Sequence, residues 1–399
     1  MKTNKKIAIV GGGASGLFLS VLLTKQLKGV DIYIYEAQNK VGKKILQTGN
    51  GKCNLGNTNI TIDEYNTNKI SYLLDTIKME DIIKEFNSIG LKVRVDSEGR
   101  IYPYSEKATT VLDILLNYIS KQNNIFVNVL DEVLDIKQNK ENKFILKSQC
   151  NTNEFDYVIM CTGGNSGIKF NNNSYNLIKK LGHNVTPLYP SLCALKTKEN
   201  TKALSGIRIK CKASIIVDNE VKKESNGELL FKDDGLSGVL IFILSQYFTK
   251  DKENIISIDL LPNESISEIN KEFSNNKSLE ENLLGYFPKM VNKEIVNRVN
   301  NNKLSVGEVI KNFNYKVINT YGFTNAQLTK GGVNLIEVNI KTFESSLLNN
   351  LYFAGEVLDV DGSCGGFNLY FAFASSYLIM LDIKKKILGE KEKKDESRN

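Results

Sequence analysis

Gly11-x-Gly13-x-x-Gly16 is the feature that most restricts this chain. Residues 5–10 (KKIAIV) before it form the short apolar run of a buried parallel strand. Residues 14–26 after it have the apolar density of a helix covered on most sides. Glu36 stands 20 residues beyond Gly16, closing a second strand-like run at 30–35 (VDIYIY). In such a unit Gly11 permits the tight turn, Gly13 lets backbone approach a pyrophosphate, and Gly16 lets helix and strand pack closely. The helix N-terminus adds partial positive charge, with Ala14 and Ser15 supplying its first amides. Glu36, followed by Ala37, then accepts hydrogen bonds from a ribose diol. Spacing and context together predict a dinucleotide-binding βαβ unit.

The same glycines exclude a competing reading. A basic start followed by the uncharged run 7–24 imitates a secretory signal, yet such a segment has no use for Gly11, Gly12, Gly13 and Gly16. The other apolar stretches, 236–244 and 369–381, carry polar residues or fall short of the roughly 20 apolar residues of a spanning helix, so no membrane span is expected. With 41% hydrophobic and 24% charged residues the composition is ordinary globular, which excludes disorder, collagen and a disulfide scaffold. Net charge is +7, but 384–398 alone holds seven basic and four acidic side chains. The body is nearly neutral, and no nucleic-acid partner is expected. Six cysteines (53, 150, 161, 193, 211, 364) show no CxxC and there is one histidine, so no metal site is expected; free thiols fit a reducing, cytoplasmic setting.

Two amphipathic helices, 69–87 and 107–120, β-rich segments at 125–137 and 144–147, and a buried strand at 157–160 extend the α/β layer. Pro187, Pro190 and Pro262 fall where the periodicity changes. Between 191 and 260 short alternating runs predict antiparallel sheet, perceived as a small barrel, whereas 265–312 has helical spacing and 313–318 is strand-like again. After Ala326 the α/β character returns, with a strand at 351–354, a glycine-rich turn at 355–367 and an apolar helix at 368–381; the charged tail after Lys384 is expected to fray.

Two further turns follow predicted strands of the same domain. One is Cys161-Thr162-Gly163-Gly164; the other is Gly355-Glu356 with the segment running through Asp361 and Gly362 to Gly365 and Gly366. Three turns suit an extended ligand, FAD rather than NAD. The backbone donors of Gly366, Phe367 and Asn368 would face the flavin's pyrimidine edge, where negative charge accumulates on reduction. No second GxGxxG follows a strand, so a dedicated nicotinamide domain is missing. The flavin is then reduced by the substrate directly or by NAD(P)H visiting the site as a transient donor.

These residues together resemble a family of bacterial flavoproteins, the BaiN-like or YhiN-like group that includes enzymes described as aminoacetone oxidases. The resemblance runs almost end to end: GGGASG at 11–16, GKKIL and GNGKCN within 42–54, GRIYPYSEKA at 99–108, TGGNS at 162–166, LGH at 181–183, PSLCAL at 190–195, GELLF at 227–231, AQLTKGGV at 326–333 and LYFAGEVLDVDGSCGGFNL at 351–369. It implies a Rossmann-type, glutathione-reductase-like FAD-binding domain in two pieces (1–187 and 328–399), a β-barrel-like cap (188–262 and 313–327) and a small helical subdomain (263–312). It also implies that the 42–54 loop lines the cofactor through Lys44, Thr48, Gly49, Lys52, Cys53 and Asn54, with Val133 on the adenine side. The sequence departs from the family pattern after Gly164, where the loop is shortened to SGIKFNNNSY, and at Lys232-Asp233, so substrate residues in those loops are not carried over.

No catalytic residue is assigned. His183 reads as structural from its place between a helix end and a β-rich segment. Cys364, where a helix dipole would lower the thiol pKa, and Cys53 read first as packing residues. Tyr102, Tyr104 and Tyr370 read as packing aromatics, and Asp359 and Asp361 as turn residues rather than paired acids. The expected activity is that of an FAD-dependent oxidoreductase moving a hydride between flavin and a small organic substrate, by reduction of an activated C=C bond or oxidation of an amine. A flavoprotein that binds RNA or another macromolecule, and a redox-inactive FAD-binding module, are the alternatives.

Overall fold

The computed structural model describes residues 4–167 and 173–396, with side chains through Gly389. Two compact units share the chain: Met1–Tyr189 with Thr329–Asn399, and Pro190–Leu328.

The first unit is organised by five parallel strands, the inner ones apolar because both faces are covered. Lys5–Val10 lies between Tyr157–Met160 and Val30–Glu36; Leu351–Phe353 joins beyond Tyr157–Met160, and Ile125–Val129 beyond Val30–Glu36. In register Val10 pairs with both Met160 and Tyr35, and Met160 pairs with Phe353. The carboxyl ends of these strands therefore align, and the three glycine-rich turns leave from one edge. Helices Ala14–Gln26 and Phe367–Glu396 start from that edge and pack against each other. Leu17, Phe18, Val21 and Leu22 of the first, and Phe371, Phe373 and Leu378 of the second, are buried in one core.

Several elements differ from expectation. The helix predicted over 69–87 is two, Ser71–Thr76 and Met79–Ser88. Apolar periodicity continues across the break, but the Asp81 carboxylate accepts the Lys78 N–H (2.9 Å) and starts a new helix, while Ile77 O accepts the Tyr370 hydroxyl (2.5 Å). A strand, Thr152–Phe155, appears where none was predicted, completing a small antiparallel sheet with Val133–Gln138 and Phe144–Ser148. The last helix continues to Glu396 rather than fraying after Lys384. Half of the shortened loop after Gly164, residues 168–172, lies outside the described residues.

The second unit is a closed six-stranded barrel of Leu195–Thr197, Gly235–Ser237, Glu220–Lys232, Arg208–Val217, Asn254–Asp259 and Tyr315–Thr320. Helices Ile266–Glu272, Leu279–Leu283, Lys289–Asn302 and Val306–Lys311 lie between its last two strands. Ser265, Ser278 and Ser305 each cap a helix in a box with the glutamate three residues on. Their Ile269, Val291, Ile295 and Ile310 share one core with Ile215, Phe231 and Ile256 of the barrel. Among the described residues no helix is long and apolar enough to cross a membrane.

The tightest joint of the first unit is Gly16, whose added Cβ would lie 2.1 Å from Gly11 O. Gly16→Ala must force helix and strand apart, and we expect a loss of about 3 kcal/mol in urea unfolding; an unchanged midpoint would contradict this packing.

Candidate functional site

Gly11 has φ +112° and a Cβ there would meet Cys161 O at 2.3 Å, so the first turn is pressed against the second. Gly13, the N-cap of the first helix, has nothing within 4 Å of its Cβ position. The amides of Gly13, Ala14 and Ser15 have no acceptor inside the helix, as at any helix start. Glu36 holds the turn, its Oε2 accepting from Gly12 N–H (3.1 Å) and its Oε1 from Gln38 N–H (2.8 Å) around Ala37. Asp131 N–H donates to Glu36 O (3.1 Å), which brings buried Val133, two residues on, to the same strand end.

The second and third turns meet at Glu356. Its Oε2 accepts from Lys44 Nζ (2.6 Å), and its Oε1 from Ser166 Oγ (2.8 Å) and Thr329 N–H (2.9 Å). Thr329 Oγ1 accepts in turn from the amides of Asn165 and Ser166. Gly164 is flush with this cluster, since a Cβ would lie 2.6 Å from Glu356 Oε1, whereas Gly163 (φ +64°) faces open space. Buried Thr162 Oγ1 has no partner, and Cys161 is a buried thiol pushed far up by desolvation. Gly355 (φ +71°) is pressed on Ser15, and its N–H donates to Ser375 Oγ (3.0 Å). Sequence reasoning placed Lys44, Gly164 and Glu356 separately along a ligand; the structure brings them to one another. Ser166 and Thr329 were missed, although both lie within family blocks.

The 48–57 segment closes on the start of the last helix. Gly49 takes φ +55° and Thr48 Oγ1 donates to Ile45 O (2.7 Å). Cys53, fully buried, has its thiol pushed up to about 11 by burial, which makes it a packing residue. Lys52 pairs with Glu106 (2.8 Å), which also pairs with Arg94. Asn54 is buried with Oδ1 unpartnered, 2.7 Å from where a Cβ on Gly366 would stand. Asn57 Nδ2 donates to Gly365 O (3.1 Å), and Tyr65 hydroxyl to Phe367 O (2.9 Å). Asn368 clasps Gly362 with its side chain (both 2.8 Å), leaving the first backbone amides of this helix, Phe367 and Asn368 among them, without an intrahelical acceptor.

Cys364 is half-buried and desolvation raises its thiol, with Arg100 partly opposing, which agrees with the packing reading rather than with a thiol lowered at the helix start. His183 is buried, Nε2 2.8 Å from Ser345 Oγ and its ring edge-on to Phe353, with burial lowering its pKa. Tyr370 is buried on Ile77 O, while Tyr104 is an exposed residue. Asp361 departs from its reading as a plain turn residue. It is 3% exposed, its Oδ1 has no donor, and burial raises its carboxyl to about 6.

Glycine-rich turns gathered at the carboxyl edge of a parallel sheet, with two long helices starting there, define a Rossmann-type flavoprotein, and the protein is an FAD-dependent oxidoreductase. The chain belongs to the HI0933-like family, whose Rossmann-domain description matches residues 5–380. It is 30% identical over 410 residues to a 3-dehydro-bile acid delta(4,6)-reductase of Clostridium scindens, covering 94% of this chain and 97% of that protein. It is 28% identical to a ribosomal RNA dihydrouridine synthase of Haemophilus influenzae, covering 94% and 98%. Among solved structures it is similar to a quinol-fumarate reductase with menaquinol molecules, at TM-score 0.49 and 12% identity over 96% of this chain and 72% of that one.

Two stability predictions follow from the carboxylates. Glu356→Ala strips three donors of their acceptor, one of them charged, and should cost about 2–3 kcal/mol in urea unfolding; a loss under about 0.5 kcal/mol would dissolve the cluster's importance. Asp361 carries a folded pKa of about 6 above its ordinary 3.8. Its contribution to stability is therefore full below the lower value and lost as pH rises through the upper one. Relative to Asp361→Asn, wild type should lose up to about 3 kcal/mol between those limits; parallel stability–pH curves would refute it.

Proposed function

We propose that FAD lies along the carboxyl edge of the sheet and that the protein uses it to saturate an activated carbon–carbon double bond, with a nicotinamide coenzyme as transient donor. The observation that carries the cofactor's placement is the alignment of three turns at one edge, with unpaired amides at two helix starts. The residues fit that group. The Cβ positions of Gly13, Gly51 and Gly163 face open space, and the buried oxygens of Asn54 and Thr162 lack partners.

In this reading the amides of Gly13, Ala14 and Ser15 take the pyrophosphate, and Glu36, with lone pairs left over from Gly12 and Gln38, takes the ribose. The amides of Gly366, Phe367 and Asn368 face the pyrimidine edge. Cys161, Thr162 and Gly163 line the middle; Thr48, Gly49, Asn54, Asp361 and Gly365 close around the ring. Lys44, Gly164, Gly355 and Glu356 fix the loops, Cys53 packs beneath them, Lys52 stays at the rim, and Val133 borders the adenine. Bound there, FAD supplies hydride chemistry, and the protein positions and tunes it.

The names of the relatives favour C=C reduction over amine oxidation: a delta(4,6)-reductase and a dihydrouridine synthase both saturate a double bond conjugated to a carbonyl. A uracil within RNA as substrate is the second reading, favoured by the ribosomal RNA relatives at 28% and 27% identity. The test is anaerobic. Purified protein should be yellow, bleach with NADH or NADPH, and recover colour with cyclohex-2-enone or a 4-en-3-one steroid; recovery only with a uridine-containing rRNA fragment would select the RNA reading. Gly13→Ala should weaken FAD binding at least about tenfold by crowding the pyrophosphate amides, which corresponds to about 1.4 kcal/mol. A colourless protein that refuses added FAD would defeat the proposal.

A further inference from the structure

Four carboxylates border the three turns, and three of them are satisfied. Glu36 accepts two amides, Glu356 three donors, and Asp359 accepts from Thr186 Oγ1 (2.9 Å) and Asn66 Nδ2 (3.4 Å). Asp361 has none on its buried Oδ1. Its backbone is nonetheless held firmly, since Asp361 N–H donates to Asn66 Oδ1 (3.1 Å) and Asn66 N–H to Asp361 O (3.0 Å). The next residue, Gly362, is pressed on the last helix: a Cβ there would lie 2.9 Å from Phe367 Cβ, and its N–H donates to Asn368 Oδ1. A fixed backbone thus presents an undonated carboxyl one residue from the contact with that helix start.

An ionised carboxylate buried without a donor is strongly disfavoured, whereas the neutral acid is tolerated. Of the charged groups acting on it, Lys330 favours ionisation, Asp359 and Glu356 oppose it, and burial is the largest influence. The carboxyl is raised to about 6, so a usable fraction keeps its proton near neutrality. The hydroxyls of Tyr65 and Tyr370 are engaged elsewhere, Tyr65 donating to Phe367 O and Tyr370 to Ile77 O. The Cys53 thiol is sealed in the core.

We propose that Asp361 is the proton donor of the reduction, its neutral carboxyl giving Oδ–H to the substrate carbon that does not receive the hydride. The inference rests on the C=C reading above. The π bond breaks, and one new C–H bond takes a hydride equivalent from the two-electron-reduced coenzyme, which ends oxidised. The other takes the proton as the Asp361 O–H bond breaks, and the carboxylate regains its proton from water.

The experiment uses FAD-loaded wild type, Asp361→Asn and Asp361→Glu. Infrared difference spectra from pH 5 to 8, with no substrate present, should show a protonated-carboxyl band that titrates away in wild type and is missing in Asp361→Asn. With FAD content and reduction by the nicotinamide measured separately for each variant, kcat per bound flavin with cyclohex-2-enone should fall at least about 100-fold in Asp361→Asn, within the range of general acid catalysis. Asp361→Glu should restore part of kcat together with the fall in activity at high pH. If Asp361→Asn does not retain FAD, the wild-type band and the Asp361→Glu pH profile decide. Absence of a titrating band, or an Asp361→Asn enzyme with more than a tenth of wild-type kcat and the same pH profile, overturns the donor role alone. A wild type that saturates none of the probes named above overturns the reduction reading and the donor role with it.

Discussion

Everything in the first unit depends on the parallel register of Tyr157–Met160 between Lys5–Val10 and Leu351–Phe353. Parallel pairing sends every carboxyl end the same way, so turns far apart in sequence become neighbours. The amide ladder runs on into the turns themselves: Gly11 N–H reaches Tyr35 O, Cys161 N–H reaches Val10 O, and Ala354 N–H reaches Met160 O. A one-residue slip would shift each turn along the edge relative to its neighbour and break these bonds.

On that frame, glycine works as an absence of volume. Gly11, Gly16, Gly164 and Gly355 are small because backbone or side chains press against them, and Gly13 and Gly163 because nothing does. The first set brings the turns together and the second leaves room beside them. Charge follows the same division, with Glu36 and Glu356 consumed in holding loops while the amides of two helix starts have no intrahelical acceptor.

The glycine fingerprint was legible in sequence because its constraints are local: a turn, a close approach and a helix contact within six residues. The barrel was legible because a period of two survives in each strand, as in IRIKCKASIIV. The Glu356 cluster was not, since Lys44 and Glu356 are 312 positions apart and nothing in either residue names the other. Asp361 read as a turn residue because aspartate favours turns, and only its burial and its lack of a donor distinguish it from Asp359 two positions earlier.

The discontinuity of the first unit also bears on its synthesis. After Met160 leaves the ribosome, about 190 residues must be made before Leu351 arrives to pair beside it. At 5–20 residues per second that is roughly 10–40 s with an apolar strand edge unclaimed. Nascent chains on one polysome carry the same vacant edge at the same time, so cross-pairing between neighbours competes with completion of each sheet, and chaperone demand should be set by this interval more than by final stability.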